Sequence, residues 1–182
     1  MRRALLNFAI FVVLAVIGHL TVLYAAPGVI MGAAMDRMEG LGLPLHAFAQ
    51  SPRTTPETQT VVRPSPDLAY SICRFDFTQI DGPLEIQAGV WRDYSSISFF
   101  DSRTNNFATV PVLAGDEAEP TTRLVLYPPG RSNREEVQSR SDYLRAPSKR
   151  GLVLIRRLAP TAEAYAHVER LAERDRCHPI TD

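Results

Sequence analysis

Lysine is almost absent from this chain of 182 residues. Lys149 is the single copy, and the 20 basic residues are balanced by 20 acidic ones. Nucleic-acid binding requires clustered Lys and Arg that displace counterions from the phosphate backbone. The basic runs Lys149-Arg150 and Arg156-Arg157 are too short to form such a track. We therefore expect no nucleic-acid partner.

Sequence motifs for catalysis and for cofactor binding are also missing. The chain has neither a Gly-x-Ser-x-Gly nucleophile turn nor a glycine-rich phosphate loop ending in Lys-Ser or Lys-Thr. The histidines are His19, His46, His167 and His178, and they lie in four separate contexts. Cys177 precedes His178 directly, but no second ligand pair lies at metal-binding spacing. We expect neither a cofactor nor a metal.

Charged residues are absent from the N-terminal segment between Ala4 and Met35. The run from Ala4 to Ala26 exceeds the ~20 apolar residues that span a hydrocarbon core. Arg2 and Arg3 place positive charge on the short leading side, which by the positive-inside rule stays in the cytoplasm. The segment predicts a single-pass anchor with the rest of the chain outside the cytoplasm.

A cleaved signal peptide is the alternative interpretation of this segment. Small residues at the spacing of a cleavage site occur at Gly32-Ala33-Ala34 and at Ala47-Phe48-Ala49. The first site follows an apolar run that is too long for a signal peptide, and the second lies far beyond it.

Composition divides the chain into three parts. Residues 1–40 contain the cytoplasmic tip, the transmembrane helix and a short extension, which Gly40, Gly42 and Pro44 should end. Residues 41–66 are expected to be a Pro/Thr-rich linker, with Thr60-Val61-Val62-Arg63 as a candidate edge strand. Residues 67–182 are expected to form one extracytoplasmic domain.

The third part shows the alternation of apolar and polar residues that is typical of strands, as in Leu84, Ile86, Ala88 and Val90. We expect a mainly β (α+β) fold, a β-sandwich-like domain closed by a C-terminal helix with Thr161 as its N-cap. The predicted strands are Tyr70–Phe77, 84–90, Tyr94–Phe100, Phe107–Leu113, Arg123–Tyr127 and Leu152–Leu158.

Four segments together resemble one protein family. The run from Tyr94 to Phe107, a strand followed by a turn rich in Asp, Thr and Asn, resembles the central signature of the domain of unknown function 1254 family. The other three are Ser65-Pro66-Asp67-Leu68-Ala69-Tyr70-Ser71, Leu126-Tyr127-Pro128-Pro129-Gly130 and the stretch from Ala146 to Arg156, which are similar to its entry motif, its Pro-Gly turn and its closing strand. The entry motif departs from the common pattern, because Ser65 stands where longer members have Asn.

This resemblance implies a β-sandwich-like fold and no known activity. Short members with an N-terminal span look like inner-membrane proteins of Gram-negative bacteria. In longer members, a second domain, numbered 1214, follows the 1254-type domain. The resemblance therefore implies a partner, namely a membrane-tethered protein that carries the complementary 1214-type domain.

The central turn supplies candidate binding residues. Asp101, Asn105 and Asn106 have oxygen atoms that suit a sugar or a cation, and Trp91 and Tyr94 offer aromatic surface for a ligand or a partner. The alternative is structural, because Asp and Asn favour turns and aromatic residues on strands usually belong to the core.

Paired carboxylates would be needed for a glycan hydrolase. Glu85 with Asp101, or Asp76 with Asp101, can be nominated, but sequence does not give their separation. We therefore expect a membrane-anchored periplasmic module that binds a ligand or partner without catalysis. A hydrolase-type envelope enzyme acting on a glycan or a small molecule is the alternative.

The chain has only two cysteines, Cys73 and Cys177. An extracytoplasmic compartment is oxidising, so a disulfide between the first strand and the end of the terminal helix is expected. Two separate thiols are the alternative.

Overall fold

The computed structural model describes residues 2–55, 64–112, 121–130 and 142–180. Two helices and nine strands are present in these ranges. They are α1 (Arg2–Gly40), β1 (Phe48–Gln50), β2 (Leu68–Asp76), β3 (Leu84–Gly89), β4 (Ser95–Asp101), β5 (Asn106–Pro111), β6 (Thr121–Tyr127), β7 (Tyr143–Arg145), β8 (Arg150–Leu158), α2 (Ala162–Ala172) and β9 (Arg176–Pro179).

Helix α1 is long and apolar enough to cross a membrane, and nearly all of it is exposed. It continues through Pro27 and ends at Gly40, as the glycine and proline pattern predicts. Gly42 then turns the chain with a positive φ of 79°, a conformation that glycine adopts without strain.

The strands form two sheets. Sheet A has the order β1-β2-β8-β4-β5 and sheet B has the order β7-β6-β3-β9. All neighbours are antiparallel except β6 and β7. The six strands predicted from sequence are all confirmed, with ends that differ by a few residues.

The core lies between the two sheets. Alternate residues of each strand face inward, so Cys73, Phe75, Val153 and Ile155 of sheet A meet Leu84 and other residues of sheet B in one buried cluster. The inward side chains supply the largest favourable term in folding, because burial removes apolar surface from water. The predicted class, mainly β (α+β) with an N-terminal apolar helix and a C-terminal helix, is confirmed.

Part of the expected linker belongs to the domain. Residues 41–66 contain β1, in which Phe48 pairs with Cys73, and Leu45 forms a bridge with Arg74. No proline occurs between Pro44 and Pro52, so this stretch keeps the backbone N–H groups that sheet pairing requires. The edge strand expected at 60–63 lies outside the described residues.

The domain does not end with its C-terminal helix. Thr161 caps α2 as predicted, since its side chain accepts a hydrogen bond from the Ala164 amide. The chain then continues into β9, which pairs with β3. Cys177 lies on this strand, and it forms a disulfide with Cys73 that joins sheet B to sheet A.

Candidate functional site

The central turn between β4 and β5 is built by its own polar side chains. Oδ1 of Asp101 accepts hydrogen bonds from the backbone amides of Arg103 and Asn105, and Oδ2 accepts one from Nδ2 of Asn105. These bonds hold Thr104 at a φ of 64°. Both carboxylate oxygens of Asp101 are therefore used in shaping the turn, as the structural alternative requires.

Asn106 belongs to a polar network on the outer face of sheet A. Its Nδ2 donates to Oγ1 of Thr109, which contacts Oγ of Ser98 at 3.1 Å. Ser98 also accepts a hydrogen bond from Arg156. The network links β5, β4 and β8 and so contributes to sheet pairing.

Trp91 and Tyr94 lie at the opposite end of β4 from the turn. The indole N–H of Trp91 donates to the Leu158 carbonyl, and its ring packs on the small cluster around Val168. Tyr94 is 52% exposed. Because β4 has seven residues at about 3.3 Å each, roughly 20 Å separates these two residues from the turn. The five predicted residues do not form one surface.

The nominated carboxylate pairs do not face each other. Asp76 pairs with Arg150 in sheet register and Asp101 pairs with Gly151. Since neighbouring residues of β8 point to opposite faces, the two aspartates do as well. Glu85 lies on sheet B, on the face away from the core. The arrangement does not provide the opposed carboxylates of a glycosidase.

Arg74 joins helix α1 to the outer face of sheet A. Its guanidinium donates to the carbonyls of Met35 and Leu43 and to the carboxylate of Glu39. Arg74 is only 6% exposed, so these contacts replace the water that would otherwise solvate its charge. The second half of α1 is thereby fixed to the domain.

His46 and Asp76 lie beside this junction. The backbone amide of Asp76 donates to Nε2 of His46, which requires the neutral imidazole. Burial lowers the pKa of His46, against a smaller opposing effect of Asp76. Burial acts to raise the pKa of Asp76, but hydrogen bonds from Thr78 and the charge of Arg150 outweigh it and hold that pKa below its usual range.

The outer face of sheet B is basic and aromatic, which sequence analysis did not find. Register places side chains from four strands on it: Tyr143, Arg145, Arg123, Val125, Tyr127, Glu85, Gln87, Arg176 and His178. We call this set the arginine–tyrosine face. The rings of Tyr127 and Tyr143 stack with centroids 5.7 Å apart, and the Arg145 guanidinium lies over Tyr127. Arg123, Arg176 and His178 are exposed.

An open groove of about 300 Å³ lies between the edge of sheet A and α2. Its lining residues are Phe48, Gln50, Ser71, Glu169, Ala172 and Glu173. Beside it, the hydroxyl of Tyr165 donates to the Ser51 carbonyl, and burial raises the pKa of Tyr165, with a further contribution from Glu169. Within the described ranges, no group of three His, Cys, Asp or Glu residues is placed to hold a metal ion.

Among the comparisons with known proteins, one solved structure has a similar fold, and none adds an activity. The crystal structure of the VPA0106 protein from Vibrio parahaemolyticus matches 85% of this chain with a TM-score of 0.55 and 11% identity. A putative uncharacterized protein from Burkholderia cenocepacia matches 66% of it with a TM-score of 0.43 and 12% identity. The matches cover 35% and 32% of those chains, so this chain spans about a third of their length. No curated protein matches.

The family comparison covers most of the chain. The model for a protein of unknown function, DUF1254, matches residues 45–179. The match begins at Leu45, just before β1, and includes every strand, α2 and both cysteines. This chain therefore belongs to the DUF1254 family.

Proposed function

We propose that this chain is a single-pass protein of the inner membrane of a Gram-negative bacterium, whose periplasmic domain binds a partner protein and performs no catalysis. The arginine–tyrosine face carries the proposal. It combines three arginines with two stacked tyrosines, and arginine and tyrosine are the residue types enriched at protein interfaces.

Three features support the anchor and its direction. Arg2 and Arg3 precede the apolar segment, which favours a cytoplasmic N-terminus. The disulfide between Cys73 and Cys177 suits the oxidising periplasm. Cleavage after Ala49 would divide β1, and α1 itself is bonded to the domain through Arg74. An uncleaved helix keeps both contacts.

The two sheets differ in what covers their outer faces. On sheet A, Arg74 of the outer face binds Met35 and Glu39 of α1, and Leu152 and Leu154 on the same face are half-buried. Among the residues that define the arginine–tyrosine face, Glu85 is the one carboxylate, and the exposed arginines Arg123 and Arg176 lie on the same face. In the described part of the chain, Arg123 makes no ion pair. A partner with an acidic surface would complement this face.

The identity of the partner is inferred from the longer relative. The Vibrio protein has a large additional region, since the match covers 35% of its chain. We propose that the partner is a membrane-tethered protein carrying the complementary 1214-type domain. Tethering both proteins to one membrane would raise their effective concentration.

Site-specific photo-crosslinking in intact cells tests this proposal. In one variant a photoreactive amino acid replaces Arg123 on the arginine–tyrosine face. In the matched control the photoreactive amino acid replaces Arg170, an exposed arginine of α2. We expect an adduct from position 123 with one protein that mass spectrometry identifies, and no such adduct from position 170. Equal labelling from both positions, or no adduct from position 123, would contradict the proposal.

The orientation has its own test. A C-terminal fusion to a reporter that is active only in the periplasm should be active, and the mature protein should keep its N-terminal residues. An active cytoplasmic reporter, or a mature chain that begins near Met35 or Gln50, would show that the anchor or its direction is wrong.

A further inference from the structure

Helix α1 crosses the strands of sheet A instead of running along them. The C-terminal end of the helix contacts β2, where Arg74 binds Met35 and Glu39. The helix also contacts the β4–β5 turn, where the guanidinium carbon of Arg103 lies 4.3 Å from the centre of the Tyr24 ring. Strand β8 lies between β2 and β4. The C-terminal end of the helix therefore lies over β2, and the helix runs across β8 toward β5 as it is followed to its N-terminus.

A third residue of α1, Met31, is shielded from solvent between these two points. It lies between Tyr24 and Met35 on the helix and is 6% exposed, although most other residues of α1 are exposed. Positions 24, 31, 35 and 39 fall on one side of an α-helix, because their spacings of seven and four residues are close to whole turns. One face of α1 thus carries both contacts with the domain and the buried Met31 between them.

The position of Tyr24 sets the depth of this contact. At about 1.5 Å per residue, Tyr24 lies roughly 30 Å along the helix from Ala4, which is about the thickness of a hydrocarbon core. Tyrosine favours the boundary between hydrocarbon and headgroups. If Ala4 begins the span, then Tyr24 and the Arg103 side chain lie at headgroup level on the outer side.

We infer that the β4–β5 turn rests on the outer surface of the bilayer, where Arg103 binds the phosphate groups of the lipids. The inference depends on the membrane anchoring proposed above. It also orients the domain: the β5 edge of sheet A faces the membrane, and the β1–β2 edge lies about 17–23 Å higher, the distance along the helix from Tyr24 to Met35 and Glu39.

The chemistry of the turn fits a lipid phosphate. In the ranges that the structure describes, no carboxylate forms an ion pair with Arg103, and its only ring contact is with Tyr24. The carboxylate of Asp101 accepts from the backbone amide of Arg103 and from Asn105, and its hydrogen bonds do not include the Arg103 guanidinium. An arginine at the headgroup level can extend its guanidinium to a phosphate, which it binds through paired hydrogen bonds.

Depth measurements on the full chain in phospholipid nanodiscs test the inference. Three variants each carry one added cysteine with a nitroxide label: Thr104→Cys in the turn, Leu41→Cys just after the helix and Leu14→Cys in the apolar segment. The native cysteines are bonded to each other and do not react with the label. Electron paramagnetic resonance then compares the collision rates of each label with oxygen and with a water-soluble nickel complex.

We expect the label at position 104 to lie at phosphate depth, the label at 41 in water and the label at 14 deep in hydrocarbon. A label at 104 that is as accessible to nickel as the label at 41 would overturn the inference while leaving the anchor intact. A label at 14 that is accessible to nickel would instead overturn the anchor, and with it the proposed function.

Substitution of Arg103 tests the role of its charge. In the labelled Thr104→Cys protein, Arg103→Gln should raise the collision rate with nickel at least twofold, and Arg103→Lys should restore most of the difference. The label should also enhance the relaxation of the lipid phosphorus nuclei less in Arg103→Gln than in the protein with Arg103. If Arg103→Gln changes neither quantity, Arg103 does not bind phosphate and the inference is wrong.

Discussion

In the part of the chain that the structure describes, the buried charged side chains are hydrogen-bonded, and the pair formed by Arg157 and Asp175 is the most deeply buried. Two hydrogen bonds of 2.8 and 2.6 Å join the guanidinium to the carboxylate, and the side chains are 1% and 0% exposed. Gly89 completes the arrangement, since its carbonyl accepts from Arg157 and its amide donates to Asp175. This pair connects β8, β3 and the end of α2.

Removing one charge of this pair should be costly. Asp175→Asn keeps the shape of the side chain but leaves Arg157 buried without its counter-charge, so we expect a loss of about 3–5 kcal/mol in the free energy of unfolding. The control is Asp93→Asn, which breaks the exposed pair with Arg92 and should cost less than about 1 kcal/mol. Urea unfolding in detergent, followed by the fluorescence of Trp91, measures both. Similar losses for the two variants would contradict the prediction.

His46 should make the stability of the domain depend on pH. Its pKa is lowered in the folded protein, so the folded state favours the neutral form. The stability that it contributes is fully present above the unfolded value of about 6.5 and is lost as the pH falls through the folded pKa.

His46→Gln is the matched variant, because the amide oxygen of glutamine can still accept from the Asp76 N–H. We expect the variant to lack the loss of stability that begins below about pH 6.5, while the loss near the pKa of Asp76 remains. The measurement is the denaturant midpoint of unfolding between pH 4 and pH 8, at intervals of roughly one pH unit. Parallel pH profiles of the variant and the wild type would disprove the role of His46.

At the scale of single elements, Gly151 shows how tightly β8 packs against its neighbours. An added Cβ would clash with the carbonyl oxygen of Phe100 and would lie 2.6 Å from Cζ of Phe75. Gly151→Ala should therefore cost about 3 kcal/mol or more, at the upper end of overpacking effects, or should prevent folding. Gly130→Ala is the control, since nothing lies within 4 Å of its added Cβ. The two variants are compared by thermal unfolding and by expression level. Equal stability would contradict the close packing at Gly151.

Sequence patterns predicted the long strands and missed the short ones for a physical reason. Strands such as β8 show an alternation of buried and half-buried residues over nine positions, which a period of two reveals. Strands β1, β7 and β9 have three or four residues. So few positions do not define a period, and these strands form because a neighbouring strand offers an unpaired edge.

The candidate site was less predictable than the fold. Trp91, Tyr94 and Asp101 are close in sequence, but an extended strand separates them in space. The arginine–tyrosine face has the opposite property, because Arg123, Arg145 and Arg176 are distant in sequence and are brought together by strand order. Only the register of sheet B could reveal it. The junction at Arg74 likewise requires knowledge of how α1 meets sheet A.

At the scale of the whole molecule, the disulfide closes nearly the entire domain. Cys73 and Cys177 are separated by 104 positions, and they join the central part of sheet A to the β9 edge of sheet B. In the chain-entropy account, a crosslink across a loop of about 100 residues lowers the conformational entropy of the unfolded state and so stabilises the fold by up to ~4.7 kcal/mol. Both cysteine side chains are also buried in the core, so they stabilise the domain through the bond and through their packing.

Loss of this crosslink should lower the stability of the domain by about 2–5 kcal/mol. The double variant Cys73→Ala with Cys177→Ala removes the bond and two sulfur atoms, whereas the reduced wild-type protein loses the bond alone. Reduced protein should therefore retain part of the stability that the double variant loses, and denaturant unfolding of the three forms separates crosslink from packing. In cells, a thiol reagent added under denaturing conditions should label the chain only after reduction. Labelling without reduction would show that the two thiols are free, and would remove the strongest support for a periplasmic domain.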